Sequence, residues 1–170
     1  MINFIEVKRD LKIGKLLSIH VRTFMVNDLD SILSIERESF DDAWPKNFFI
    51  YMYQKTPELF LVAVQEGEIS GFVIGELREI MISGVSHKFK VGHILNIAVE
   101  KTKRRRGIGN QLMDEVEERF KRYGASRATL EVRESNVAAK RFYLTRGYRE
   151  IGVVDAYYRN ENAIIMSKNL

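Results

Sequence analysis

A run of cations followed by two glycines could bind an anionic ligand. Residues 101–106 hold five lysines and arginines in six positions, and Gly107 and Gly109 follow them. Glycines let a ligand approach the backbone closely, and a helix that begins here leaves its first N–H groups without intrahelical partners. Such helix ends bind anions, and nearby cations add attraction. The stretch therefore predicts a site for a phosphate-bearing ligand.

Three other interpretations of this stretch compete. The arginines could form only a solvated face, as a bare charge run usually does. A P-loop ends in Gly-Lys-Ser/Thr, but Asn110 and Gln111 follow Gly109, which excludes that motif. A dinucleotide fingerprint needs a third glycine, and Leu112 stands in its place, so that fingerprint is incomplete.

A strand before the cations and a helix after them must position this loop. Residues 91–99 are apolar enough for a buried strand. From there, apolar side chains recur at helical spacing at Ile108, Leu112, Val116 and Phe120. Acidic residues lie early in this segment and basic ones late, which suits the helix dipole, and Gly124 suits its end. The glycine pair is thus predicted at a helix N-terminus.

This stretch and the chain after it resemble the GNAT superfamily of N-acetyltransferases. Arg104-x-x-Gly107-x-Gly109 looks like the acetyl-CoA loop of that superfamily. Residues 130–139, then Phe142-Tyr143 and the Arg-Gly-Tyr of 146–148, closely resemble RimI-like and archaeal protein Nα-acetyltransferases. The resemblance covers roughly residues 18–168. It implies acetyl-CoA as cosubstrate.

The resemblance also assigns residues to the cosubstrate. Asn136 is expected to hydrogen-bond the pantetheine arm, and the backbone of residues 97–99 to meet the pantetheine and the acetyl carbonyl. The full set expected to bind acetyl-CoA is Ile97, Ala98, Val99, Arg104, Arg105, Arg106, Gly107, Ile108, Gly109, Asn110, Asn136 and Tyr143.

Acetyl transfer to an amine needs a neutral amine, a polarised carbonyl and a proton for the leaving thiolate. A terminal amine has a pKa of about 7.7–8.0, against about 10.4 for lysine, so a modest base is enough. Glu131 is the leading base, since partial burial within a strand favours basicity and the resemblance gives the matching glutamate this role. An ion pair with Arg127 or Arg133 is the structural alternative. The chain has no cysteine, which favours direct attack over a thiol acyl-enzyme.

Two further residues complete the expected catalytic set. His93 is the alternative base, because archaeal relatives carry a histidine at this start of a strand, and it could share the work with Glu131 through water. Tyr143 is the expected acid for the CoA sulfur, by resemblance. It lies seven residues after Asn136 and is predicted on the same helix face. The alternative for Tyr143 is an ordinary core aromatic.

Two groups are expected to bind the acceptor. In the resembled families a helix–loop–helix lines the peptide groove, and Phe40, Asp41, Asp42 and Trp44 fall in it here. Tyr157 and Tyr158 match a tyrosine pair that holds the first backbone units of the substrate. A cover of this kind admits a flexible terminus and disfavours a lysine within a loop. It therefore favours terminal acetylation over lysine acetylation.

Composition sets further limits. The 170 residues, 45% of them hydrophobic, predict one core-forming domain at 18–170, with residues 1–17 as an N-terminal extension. His20, His87 and His93 share no ligand spacing, so no metal site is expected. The chain shows neither a membrane-spanning segment nor a signal peptide, which predicts a cytoplasmic protein without a membrane partner.

The order of predicted elements indicates an α/β fold. Strands are predicted at 18–24, 59–65, 69–77, 91–99, 127–133, 148–157 and 163–168, with a hairpin at 66–67 and a turn at 160–162. Residues 78–90 are predicted as a longer loop or an irregular strand extension. Helices follow a cap at Asn27 and a first-turn residue at Pro45, and a further helix spans 136–146. We expect a single GNAT-type domain: a mixed, mostly antiparallel sheet of about six to seven strands with helices on both faces.

The sequence thus predicts an acetyl-CoA-dependent protein Nα-acetyltransferase acting on protein or peptide N-termini. One alternative is acetylation of a small amine, a polyamine or a lysine side chain. A less favoured alternative is a non-catalytic RNA- or ribosome-binding module that uses residues 101–106. Ribosome association is a further possible partnership, and a net charge of +4 does not by itself indicate sequence-specific nucleic-acid binding.

Overall fold

The computed structural model describes residues 18–81, 88–158 and 161–170. The predicted extension at 1–17 and His87 lie outside them. The elements are β1 (Ile19–Thr23), α1 (Leu29–Ser39), α2 (Lys46–Lys55), β2 (Phe60–Gln65), β3 (Glu68–Met81), β4 (Lys88–Val99), α3 (Ile108–Arg122), β5 (Arg127–Arg133), α4 (Val137–Thr145), β6 (Arg149–Tyr158) and β7 (Glu161–Asn169).

The strands form one seven-stranded sheet in the order β1-β2-β3-β4-β5-β7-β6. β4 pairs with β5 in parallel, whereas β1 with β2, β5 with β7 and β6 with β7 pair antiparallel. The predicted fold class is therefore confirmed. The chain divides into two compact units, one running to Val73 and including Ile97–Glu115, the other made of Ile74–Asn96 and Val116–Leu170.

Helix α3 carries the apolar stripe that the sequence predicts, and Ile108, Leu112, Val116 and Phe120 are all buried. In the second unit the ring of Phe120 lies directly against Gly92, where an added Cβ would come within 2.2 Å of it. Gly75 is similarly close, with an added Cβ 2.7 Å from the same ring. Glycine at these two strand positions therefore lets Phe120 pack close to the backbone.

β3 runs to Met81 and β4 starts at Lys88, so the ends of the segment 78–90 are strand, in agreement with the predicted strand extension. Three predictions of local structure are wrong. Glu161 and Asn162, predicted in a turn, belong to β7, and Asn160 lies outside the described residues. His93 lies within β4 rather than at its start.

The third correction concerns the start of α1. Asn27 lies in a 3₁₀ turn, Val26–Asp28, and the helix begins after it. The Asp28 carboxylate accepts the Met25 N–H at 2.8 Å and a two-pronged contact from Arg22 at 2.7 and 2.8 Å. Burial alone would raise the pKa of Asp28, but the hydrogen bonds from Arg22 and the Met25 N–H, with the charge of Arg22, together lower it. The carboxylate thereby fixes the entry to α1.

Three groups converge on the buried carboxylate of Glu117 in α3. The Tyr148 hydroxyl donates to Oε1 at 3.1 Å, Arg146 lies 3.3 Å from the same oxygen, and Lys168 lies 2.6 Å from Oε2. Burial, followed by the charge of Glu117, raises the pKa of Tyr148, so its hydroxyl stays a donor. Glu117 thus joins α3 to β7 and to the Arg-Gly-Tyr segment after α4.

Replacing Glu117 with glutamine is expected to lower the free energy of unfolding by about 2–3 kcal/mol. The amide keeps the shape but removes the negative charge that two half-buried cations, Arg146 and Lys168, share. Urea unfolding measures the change, with Glu118→Gln as a matched control because Glu118 is an exposed neighbour on the same helix. Equal midpoints for the two variants would show that the Glu117 contacts do not stabilise the fold.

Candidate active site

The glycine loop, residues 104–109, has the backbone geometry of an anion site. Gly107 has φ +86, and its carbonyl accepts the first helical hydrogen bond, from the Gln111 N–H at 3.1 Å. The N–H groups of residues 108–110 consequently have no carbonyl within α3 to receive them. A Cβ built on Gly107 meets no atom within 4 Å, so the backbone there faces open space. These features fit a phosphate-bearing ligand.

The cations of this loop divide into two kinds. Arg104 donates from Nε to the Val99 carbonyl at 2.9 Å and from Nη2 to the Ser39 hydroxyl at 3.0 Å. Arg104 therefore ties the end of β4 to the end of α1, which sequence reasoning did not foresee. Arg105, at φ +65, and Arg106 are exposed. These two arginines are the ones whose exposure suits steering of an anion.

The loop between α1 and α2, also in the first unit, holds the predicted acceptor residues 40–44. Asp41 and Asp42 are exposed, and Phe40 and Trp44 are half-buried. The backbone N–H of Trp44 donates to the buried Glu36 carboxylate at 3.0 Å. The Trp44 ring contacts that of Phe48, with ring centroids 4.0 Å apart.

In the second unit the two candidate bases touch each other. The Nε2 atom of His93 lies 3.0 Å from Oε2 of Glu131, with no intervening water needed. The parallel register of β4 and β5 sets His93 opposite Thr129, and Glu131 follows two residues later on the same face of β5. The His93 side chain is 2% exposed and that of Glu131 is 18% exposed. Glu131 is thus the member of the pair that a substrate can reach.

The contact with Glu131 selects one tautomer of the neutral His93 ring. An ionised carboxylate only accepts hydrogen bonds, so Nε2 of His93 carries the proton in the contact with Glu131. Nδ1 lies 3.0 Å from the Thr129 hydroxyl, which is also 3.4 Å from the Gly92 carbonyl. In the neutral ring with its proton on Nε2, Nδ1 is an acceptor, and the single hydroxyl proton of Thr129 has two acceptors within reach, Nδ1 and the Gly92 carbonyl.

Tyr143 lies buried in α4, at 6% exposure, with its ring 5.3 Å from that of Phe142 and 5.8 Å from that of Tyr148. Burial first, and Tyr158 second, raise its pKa well above the usual range. The predicted helix at 136–146 is one residue shorter at each end. Asn136 precedes the helix as its N-cap, and its Oδ1 accepts the Ala139 N–H at 3.0 Å.

Tyr157 and Tyr158 are in edge-to-face contact, with ring centroids 5.0 Å apart. The guanidinium of Arg133 lies over the Tyr158 ring at 4.0 Å. Partial burial, and then the charge of Glu131, raise the pKa of Tyr157, and Arg78 opposes this rise. The structure therefore brings the tyrosine pair into the electrostatic environment of Glu131 and Tyr143, all within the second unit.

Sequence reasoning missed Thr129 and Glu36. A polar residue two positions before Glu131 on an alternating strand was the available signal for Thr129. For Glu36 the signal was a carboxylate one turn after Ile32, within the apolar stripe of α1.

Within residues 18–81, 88–158 and 161–170, no three or more His, Cys, Asp or Glu side chains are grouped as metal ligands would be. No helix in these ranges is both long and apolar enough to cross a membrane.

Comparison with known proteins agrees with this geometry. An uncharacterized N-acetyltransferase of Methanocaldococcus jannaschii is 35% identical over 150 residues, which are 87% of this chain and 90% of that protein. An N-alpha-acetyltransferase of Sulfolobus acidocaldarius is 30% identical over 170 residues, covering 97% of this chain and 99% of that protein.

Among solved structures, Chaetomium thermophilum Naa20 in complex with a bisubstrate analogue is similar, with a TM-score of 0.79 and 30% identity. The match covers 89% of this chain and 86% of that one. The sequence model of the acetyltransferase (GNAT) family matches residues 29–148, which is more than half of the chain. On this evidence the protein is a member of the acetyltransferase (GNAT) family.

Proposed function

We infer that this protein transfers the acetyl group of acetyl-CoA to the N-terminal α-amine of proteins. The observation that carries the inference is the reachable Glu131 carboxylate, backed by buried His93, in a chain similar along 97% of its length to an N-alpha-acetyltransferase. The similarity to Naa20, solved with a bisubstrate analogue, supports binding of both substrates by this fold.

Acetyl-CoA supplies the acetyl group as a thioester. In the proposed mechanism the N–H groups of residues 108–110 hold its phosphates, and Arg105 and Arg106 attract them. Asn136 uses its oxygen as the helix cap, which leaves its NH₂ group to donate to the pantetheine arm. The backbone of residues 97–99 is proposed to meet the pantetheine and acetyl carbonyl. Arg104 donates to the Val99 carbonyl and so holds the end of this backbone segment in place.

Glu131 is proposed as the base. Its Oε2 accepts a hydrogen bond from His93 Nε2, so Oε1 is the atom that takes the proton of the attacking amine. The amine nitrogen then forms the new C–N bond as the C–S bond breaks. The buried His93 ring orients the Glu131 carboxylate through this hydrogen bond. Phe40, Asp41, Asp42, Trp44 and the tyrosine pair are proposed to bind the acceptor peptide.

Tyr143 is proposed as the proton donor to the departing sulfur. Its raised pKa keeps the hydroxyl protonated throughout the pH range in which a terminal amine attacks. The hydroxyl is therefore available as a donor at the moment negative charge develops on the sulfur.

The glycine loop gives the first test of cosubstrate binding. Gly109→Val should weaken acetyl-CoA binding much more than Arg105→Ala, because a branched side chain blocks approach to the helix N-terminus. Gly109 lies inside α3, where valine is a better helix former than glycine, so the fold should not suffer. Calorimetric titration measures both affinities. Equal losses would count against phosphate binding by the backbone.

The proposed reaction is tested with peptides varied at their first two residues. Purified protein and acetyl-CoA should acetylate free α-amines, and a peptide with a blocked N-terminus and an internal lysine should stay unmodified. Faster acetylation of polyamines than of free α-amines would favour a small-amine acetyltransferase. Faster acetylation of the blocked peptide would favour a lysine acetyltransferase. Ribosome association, a cytoplasmic location and a domain boundary at residue 18 stay predictions.

A further inference from the structure

The tyrosine pair sits on a distorted part of the sheet edge. Val154 pairs with Ala163 and Tyr158 pairs with Glu161, so three residues of β6 face one residue of β7, Asn162. Within this bulge Ala156 has φ +51, a left-handed conformation that non-glycine residues rarely adopt. Bulges of this kind redirect the side chains that follow them. The direction of Tyr157 and Tyr158 therefore depends on what holds the bulge.

Asn162 holds the bulge through both the oxygen and the nitrogen of its side-chain amide. Oδ1 accepts the N–H of Ala156 at 3.0 Å, and Nδ2 donates to the Glu134 carboxylate at 3.3 Å. The Asn162 backbone carbonyl also accepts the Glu134 N–H at 3.2 Å. One side chain thus connects the left-handed residue of β6 to the loop that follows β5.

The neighbouring residue strengthens the same connection. Glu161 accepts the Ser135 N–H and lies 3.7 Å from a nitrogen of Arg133. Arg133 in turn lies over the ring of Tyr158 at 4.0 Å. The first two residues of β7 therefore control the backbone before Tyr157 and the cation against Tyr158.

We propose that Asn162 is the positioning residue that sets Tyr157 and Tyr158 for the acceptor peptide. The proposal rests on the proposed function, in which these tyrosines hold the first backbone units of the substrate. Asn162 does not act on the reacting atoms. It acts through Ala156, whose strained conformation needs the hydrogen bond, and through the loop at Glu134.

The kinetic test compares Asn162→Ala with Asn169→Ala, a matched asparagine at the other end of β7. Asn162→Ala should raise the KM for a peptide by about tenfold, while kcat and the affinity for acetyl-CoA stay within about twofold. Asn169→Ala should leave all three unchanged. An unchanged peptide KM in Asn162→Ala would overturn the proposal, as would an equal loss of acetyl-CoA affinity.

A rescue variant separates positioning from simple loss of structure. Glycine adopts left-handed φ values at no steric cost, so adding Ala156→Gly to Asn162→Ala should restore much of the peptide KM. Failure of this rescue while the double variant remains folded would contradict the role of the bulge.

A readout independent of catalysis distinguishes this proposal from the proposed function. The ring signals of Tyr157 and Tyr158, in protein with labelled tyrosine, should shift in Asn162→Ala and stay in place in Asn169→Ala. Unmoved signals overturn the positioning role even if the enzyme acetylates peptides. Shifted signals without any peptide acetylation by the unmodified protein support the positioning role and remove the proposed function.

Discussion

Tyr143→Phe should lower the single-turnover rate of acetyl transfer by about 10²–10⁴-fold while acetyl-CoA affinity stays nearly unchanged. The hydroxyl is needed only when negative charge develops on the leaving sulfur, so its loss affects the transition state more than the ground state. The ring keeps its contacts with Phe142 and Tyr148, because phenylalanine has the same shape. Folding should therefore change little.

The structure sharpens this experiment through the raised pKa of Tyr143. A donor whose pKa lies above its usual value loses its proton only at higher pH than an ordinary tyrosine. The unmodified enzyme should accordingly show no loss of rate from Tyr143 ionisation between about pH 7 and pH 10. Tyr123→Phe, at an exposed tyrosine just after α3, is the matched control. If Tyr143→Phe transfers acetyl at the single-turnover rate of the unmodified enzyme, Tyr143 is only a core aromatic, and the proton for the departing sulfur has another source.

Local patterns were sufficient to predict much of the fold. β5 occupies residues 127–133 as predicted, because its alternation of apolar and polar side chains extends to both ends. The hairpin at Glu66-Gly67 follows from turn chemistry, and both residues have the positive φ that its tight turn requires. The stripe of α3 followed from helical period alone. Each of these features depends on neighbours within a few residues.

The site depended on contacts that span larger distances in the chain. His93 and Glu131 meet because β4 and β5 pair in a parallel register across the intervening helix, and no local pattern specifies that register. The sequence therefore gave two separate candidate bases where the structure has one hydrogen-bonded pair. Thr129 was overlooked for the same reason, since its partner Nδ1 lies on another strand.

Backbone irregularity was the other source of error. A non-glycine residue at positive φ, such as Ala156, carries no sequence signal, so the bulge before Tyr157 was not predictable. Asn136 is predicted as the first residue of its helix although asparagine is a preferred N-cap, and the hydrogen bond to its side chain shows that it caps the helix instead.

Glu131→Gln is expected to lower kcat/KM by about 10²–10⁴-fold near neutral pH. The amide keeps the size of the side chain and can still accept the His93 proton through its oxygen, so the pair should remain packed. What it loses is the ability to take a proton from the amine. Thr129, His93 and the strands around them are unchanged in this variant.

The pH dependence separates this role from a structural one. Below the terminal-amine pKa of about 7.7–8.0 most of the substrate is protonated and depends on a base, whereas above it the amine is already neutral. The deficit of Glu131→Gln should therefore be largest at low pH and narrow as pH rises. A deficit in kcat/KM that stays constant across this pH range would indicate lost structure. A pH–rate profile equal to that of the unmodified enzyme would show that Glu131 is not the base.

Because His93 Nε2 and Glu131 Oε2 are 3.0 Å apart, the two residues should act as one unit. Groups that function together give strongly non-additive losses, so Glu131→Gln combined with His93→Gln should be about as slow as the slower single variant. His93→Gln alone should cost less than Glu131→Gln, since the buried ring orients the carboxylate and does not meet the substrate. Additive losses would show that the two side chains work independently. If His93→Gln loses more activity than Glu131→Gln, and if its deficit in kcat/KM is the one that narrows as pH rises, then His93 is the base and Glu131 orients it.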